Sequence, residues 1–312
     1  MRSRNSILLC SIAPTILAFS VHAFAQGGGK WATKAPMPSS RTEVAAVALS
    51  GKIYVIGGFG KNGDLVEEYD PAADRWRLRA SLPRALHHLG AAAVAGKIYA
   101  IGGYASGASL DTVYEYDPTS DRWRAVAPMP TARGALAVGV VGEKIYAVGG
   151  VGTSGRNTPA NEEYDPAQNR WTQRAAMPSP RDHHAVGILA GKLYAIGGRL
   201  DGNHGRSITV NEEYDPATDK WRALAPLPTA RSGIAAAVLG GRVFIFGGET
   251  PVRTFNENEA YDPAKNTWTT MSPMPTARHG LGAAVVGETI YVISGGPQPG
   301  GTYSSVNEAF TP

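Results

Sequence analysis

Five of the chain's seven histidines stand at one recurring place, just ahead of a short run of small apolar residues: His87, His88, His183, His184 and His279. Glu43 and Asp182 hold the same ground in their own stretches. Imidazoles and carboxylates in one neighbourhood could bind a metal ion or move a proton. The spacing argues against a fixed motif of either kind. Adjacent residues of a strand point to opposite faces, so at most one histidine of each neighbouring pair could line a shared site. C-x-x-C, H-E-x-x-H and the EF-hand loop are missing, as are the G-x-S-x-G nucleophile elbow and the phosphate-cradling P-loop. The sequence therefore assigns no catalytic residue, no metal and no cofactor.

What positions these groups is a repeat. All six tryptophans, Trp31, Trp76, Trp123, Trp171, Trp221 and Trp268, fall at steps of 45 to 50 residues. Glycine pairs recur in phase at Gly57-Gly58, Gly102-Gly103, Gly149-Gly150, Gly197-Gly198 and Gly247-Gly248, with Ser294-Gly295 in the sixth copy. A Tyr-Asp-Pro turn follows five times, at Tyr69, Tyr116, Tyr164, Tyr214 and Tyr261. Each unit reads as four short strands: a small apolar one, a Tyr-rich one ending at the glycine pair, one ending at Tyr-Asp-Pro, and one carrying the tryptophan. Helical periodicity is absent, and Gly and Pro punctuate every copy. A lone four-stranded sheet cannot bury both faces, whereas radial stacking of six does so and leaves only short edges. The expected fold is all-β, a six-bladed β-propeller of four-stranded antiparallel blades.

The Tyr-x-x-Gly-Gly, Tyr-Asp-Pro, Trp and Met-Pro-x-x-Arg elements resemble kelch repeats over essentially the whole chain after its leader. That resemblance implies ligand binding on the face built by the loops between strands two and three. Some kelch-like propellers are enzymes. Oxidases of the galactose-oxidase type need a tyrosine–cysteine cross-link, and this chain's single cysteine, Cys10, lies in the leader. Exported sialic-acid epimerases resemble it in fold, but their irregular repeats and long insertions are missing here.

The copies are offset at the two ends. Trp31 precedes any glycine pair, so it marks a fourth strand without its first three, and Asn307 to Pro312 is a third strand without a fourth. The strand around Trp31 is therefore expected to complete the last blade and remove an open edge. Comparison among the copies also predicts a pairing. Five have arginine three residues after the inter-blade proline: Arg41, Arg133, Arg181, Arg231 and Arg278. Five have glutamate two residues before the third-strand aromatic: Glu67, Glu162, Glu212, Glu259 and Glu308. The exceptions, Leu86 and Tyr114, fall in one blade. Joint loss is expected of buried ion pairs, because removing one partner strands a charge while replacing both is tolerated.

Ahead of the repeats, Arg2 and Arg4, an apolar run from Ile7 to Val21 and Ala23-Phe24-Ala25 follow the order of a secretory signal. Residues 1–25 are thus expected to be a cleaved leader and residues 26–312 the propeller, exported to a periplasm or the exterior. Cleavage would lower the net charge from +4 to about +2. With no basic stripe, nucleic-acid binding is not expected, nor is a membrane span, and a monomer is expected.

The links from strand four to the next strand one share a face with the two-to-three loops. Those loops, Phe59–Leu65, Tyr104–Asp111, Val151–Ala160, Arg199–Thr209, Glu249–Asn256 and Gly296–Ser304, differ in every copy, while the opposite turns are short and uniform. Function tends to sit where a scaffold varies. The binding residues expected on that face are Glu43, Arg84, His87, Asp182, His183, Arg199, Arg206, Glu249, Arg253 and His279, with Thr42, His88, His184, Ser232, Arg156, His204, Phe255 and Tyr303 beside them. The function expected is a non-enzymatic binding or interaction module for a protein, peptide or glycan. The alternative is a small-molecule enzyme such as a carbohydrate epimerase.

Overall fold

A computed structural model describes residues 25–26, 28–60 and 62–312. Apart from Ala25, the expected leader lies outside the described residues. Six four-stranded antiparallel blades follow one another around a central channel. Blade one is Ala45–Leu49, Lys52–Ile56, Val66–Asp70 and Arg75–Leu78. The sixth takes Gly282–Val286, Thr289–Ile293 and Asn307–Thr311 from the C-terminus and Lys30–Thr33 from the N-terminus. The closing ladder pairs Trp31 with Phe310 and Thr33 with Glu308. Beyond it, Ala25–Gln26 adds a short parallel strand to the outer edge of blade five.

Strand alternation builds the ring. In a second strand such as Lys52–Ile56, Tyr54 and Ile56 face the following blade while Ile53 and Val55 face the preceding one. Six apolar cores result among the described residues, one in each interface, and the sixth-to-first interface is filled like the others. Each tryptophan spans an interface as well. Its indole N–H donates to a carbonyl where the chain leaves the preceding blade, as Trp76 does to Ala35 and Trp123 to Ala80, both at 2.8–2.9 Å. Trp31 makes the same bond to Ser272 at 2.9 Å, so the borrowed strand is locked as the covalently continuous ones are.

The Tyr-Asp-Pro turns explain a small irregularity. Five third-strand tyrosines donate their hydroxyls to an Asp or Asn five residues on, such as Tyr69 to Asp74 and Tyr164 to Asn169. The sixth blade carries Phe310 at this place, which needs no acceptor. The glycine pairs are equally specific. Gly57 has φ +63°, and a Cβ there would sit 2.5 Å from the Leu86 carbonyl oxygen.

All five expected ion pairs form, each inside its own blade, with arginines at most 1% exposed. Arg133 meets Glu162 at 2.8 Å and Arg181 meets Glu212 at 2.6 Å. A third partner completes each: Ser39, Thr131, Ser179, Thr229 and Thr276 donate hydroxyls to the same glutamates. In blade two the whole triad is replaced. Leu86 and Tyr114 join an apolar core there, and Arg84 stands where the hydroxyl would be.

Candidate functional site

One face of the ring is uniform and the other is not. At the variable face, six residues meet around the axis: Glu43, His88, Ala135, His183, Gly233 and Gly280. All six have left-handed backbone, with φ from 51° to 66°. For the four non-glycines this conformation costs on the order of 1–2 kcal/mol each, and a closed hydrogen-bond ring holds it in place. Glu43 N donates to Gly280 O, His88 N to Glu43 O, Ala135 N to His88 O, His183 N to Ala135 O, Gly233 N to His183 O and Gly280 N to Gly233 O, at 2.7–3.1 Å. The backbone reversal brings side chains of these residues to the mouth of the channel. Strand alternation does not apply, because these positions precede the strands.

A second ring lies just outside the first: Thr42, His87, Gly134, Asp182, Ser232 and His279. Each pairs through its backbone with the first residue of its blade's two-to-three loop, respectively Phe59, Tyr104, Val151, Arg199, Glu249 and Gly296. Three columns of the repeat therefore carry the chemistry. Blade three contributes only Gly134, Ala135 and Val151 to them.

The columns converge on a buried polar network. Glu249, 1% exposed, collects contacts from the two blades that flank its own. Arg199 Nη1 and His204 Nε2 both lie 3.0 Å from its Oε1, and the Gly300 N–H donates to its Oε2 at 3.0 Å. His279 Nε2 lies 3.6 Å from Glu249 Oε2 and 3.9 Å from Glu43 Oε1. Asp182 accepts from Arg199 Nε at 3.2 Å and from the Gly202 N–H at 2.8 Å. His183 donates from Nδ1 to Asp182 at 2.5 Å, and its Nε2 accepts from Arg199 Nη2 at 2.9 Å. His88 places Nε2 3.3 Å from Glu43 Oε2, and its Nδ1 shares a proton contact of 2.6 Å with His87 Nδ1. His87 also stacks on the half-exposed ring of Phe59.

Burial sets the charge states. Desolvation, reinforced by Arg199, pushes the His88 pKa down to about 3 and that of His183 well below the ordinary histidine value. His87 falls to about 4 through desolvation and then His88. Desolvation raises Asp182 in spite of the Gly202 N–H and Arg199. Two carboxylates, Asp182 and Glu249, thus share one guanidinium, and Glu43 stands among the site's imidazoles, of which at least two are neutral.

Seven of the ten residues expected from sequence come together here: Glu43, His87, Asp182, His183, Arg199, Glu249 and His279. Three do not. Arg84 is exposed at the vacated hydroxyl position, Arg206 pairs with Asp201 on the surface, and Arg253 pairs with Glu257 and lies over Phe255. His88 and His204 belong to the network. Phe59 and Tyr104 pack on His87, and the signal for them in the sequence is that both directly follow a glycine pair, as Arg199 and Glu249 do. His184 turns away from the mouth into the interface beside Gly149 and Gly198. The other copies have Val44, Leu89, Leu136, Ile234 and Leu281 in its place.

The cavity under the mouth is about 90 Å³, room for about three waters. Two larger depressions of about 460 Å³ lie on the loops around it, one beside His204, Pro251 and Pro299, the other beside Asn62, Leu65 and Tyr303. No helix of the described residues is long and apolar enough to cross a membrane.

The family model of the KLHDC2/KLHL20/DRC7 Kelch-repeats domain matches residues 29–198 and 135–308. Curated proteins give no match. Among solved structures, one described as "Structure of YjhT" superposes with a TM-score of 0.77 at 16% identity, over 87% of this chain and 95% of that one. At that identity the likeness speaks to the fold.

Proposed function

The chain belongs to the kelch-repeat family, and from that premise we propose that it is an exported binding module that engages a protein, peptide or glycan across the face formed by the two-to-three and inter-blade loops. One observation carries the reading. Variation among otherwise matching copies is concentrated in columns that meet at one mouth, and three of the four exposed large hydrophobics, Phe59, Val252 and Tyr303, stand on the loops around it. Polar anchors at the centre with exposed apolar groups at the rim suit a ligand laid over the surface. The central cavity of about 90 Å³ is well short of the roughly 300 Å³ at which small-molecule sites begin. The larger depressions of about 460 Å³ lie out on the loops beside it, an arrangement that suits a ligand laid across the face with a tip in the mouth. Arg199, Arg206 and Arg253 are each paired with carboxylates, which favours a neutral or amine-bearing ligand over an anionic one.

Peptide and glycan arrays probed with three proteins test this: the unaltered chain, a loop-face variant with Phe59→Ala and Tyr303→Ser, and an opposite-face variant with Glu143→Ala and Glu288→Ala. Binding is expected to survive in the opposite-face variant and to fall in the loop-face variant. The reverse pattern would place the ligand elsewhere. Turnover of a free sugar without retention of any polymer would support the enzyme instead.

A further inference from the structure

We propose that the mouth of the channel binds one divalent transition-metal ion of the zinc class, with Glu43, His88 and His183 as its protein ligands. Sequence spacing hides such a site, because the three residues lie on three blades and meet only through the left-handed ring. One donor atom from each lies within 4.8 Å of the other two. Zinc bonds to nitrogen and oxygen of about 2.0–2.2 Å put tetrahedral ligands about 3.3–3.5 Å apart. His88 Nε2 and Glu43 Oε2 already stand at 3.3 Å. The remaining pairs need to close by at most about 1.5 Å, a side-chain adjustment.

The surroundings are those of a metal centre in two further respects. Metal-ligating histidines hold their second nitrogen in a hydrogen bond that fixes the ring. Here His183 Nδ1 is held by Asp182 and His88 Nδ1 by His87, so that the ligating atom of each ring is Nε2. The charge balance also calls for a cation. Asp182 and Glu249 share Arg199, and Glu249 also meets His204, whereas Glu43 meets only His88 and His279 and has no guanidinium or ammonium partner among the described residues. A dication beside Glu43 would supply the missing charge. Arg199 must yield its Nη2 contact to His183 Nε2, and it keeps Asp182 through Nε and Glu249 through Nη1 when it does. Three protein ligands leave one position toward the cavity, whose volume admits a water or one atom of a ligand. The site is independent of whether the loop face holds a polymer.

Untagged protein, stripped with a chelator, is titrated with zinc chloride by calorimetry and with cobalt(II) by visible absorption. The expected result is one ion per chain, with the intense d–d bands of four-coordinate cobalt. Glu43→Gln and His88→Gln should each weaken binding by about tenfold or more, with unchanged circular dichroism. Glu288→Gln, on the far face, should bind as the unaltered chain does. Absence of saturable uptake would overturn the proposal and leave a protonated imidazole as the balancing charge. Uptake indifferent to both Glu43→Gln and His88→Gln would overturn it equally.

Discussion

Replacing Arg133 and Glu162 one at a time and then together measures what holds a blade's interior. Arg133 is 0% and Glu162 1% exposed, so Arg133→Leu strands a buried carboxylate and Glu162→Tyr strands a buried guanidinium. Either change should cost about 3–5 kcal/mol, so independent effects would sum to about 6–10. The double variant rebuilds what blade two has naturally in Leu86 and Tyr114. It still loses the bond from Arg133 Nη2 to the Ala147 carbonyl at 2.8 Å and the acceptor of the Thr131 hydroxyl at 2.6 Å. At about 0.5–1.5 kcal/mol for each such bond, it should cost only about 1–3 kcal/mol. Urea unfolding followed by tryptophan fluorescence reports all three, since every blade carries one tryptophan. Single-variant losses that add to the double-variant loss within about 0.5 kcal/mol would refute the reasoning and leave the joint loss in blade two as coincidence.

Other consequences can be checked with the same unfolding assay. Neither ring nitrogen of buried His184 has a hydrogen-bond partner among the described residues, and five copies place an aliphatic residue there. His184→Leu should therefore stabilise the chain by about 1–3 kcal/mol. Ala135 pays for a left-handed backbone at φ 53°; Ala135→Gly should be neutral or stabilising by up to about 1 kcal/mol, whereas Ala137→Gly, two residues on in the strand, should cost about that much. Removing residues 26–36 takes away the closing ladder and the Trp31 bond to Ser272, and should lower the denaturation midpoint and broaden the transition. Glu249→Ala releases Arg199, His204 and the Gly300 N–H together; faster limited proteolysis at 199–209 and 296–304 is the expected sign.

Much of the architecture was readable because six copies report on one another. The tryptophan and glycine spacing, the offset ends and the joint absence of arginine and glutamate in one blade are relations within the chain, and each has a bond behind it in the structure. Arg84 shows where the comparison stopped short. Set beside Ser39, Thr131, Ser179, Thr229 and Thr276, it holds the position of the triad's third member, a relation that a comparison of arginines and glutamates alone leaves out. The axial site was harder to read for a physical reason. Gly233 and Gly280 hint at left-handed backbone, but Glu43, His88 and His183 give no such signal, and the conformation is imposed by a hydrogen-bond ring that exists only once the toroid closes. Which histidine of each pair faces the axis follows from that ring. The partners of Arg199, Arg206 and Arg253 depend on loop paths, which spacing does not encode.

The reading of the variable mouth as the binding surface is tested most directly by amide hydrogen exchange on the chain with and without a ligand taken from the arrays. Protection should appear in residues 40–43, 85–88, 199–206, 249–256 and 296–304. Protection confined to the strand one-to-two turns, such as 50–51, 142–143 and 287–288, would contradict it.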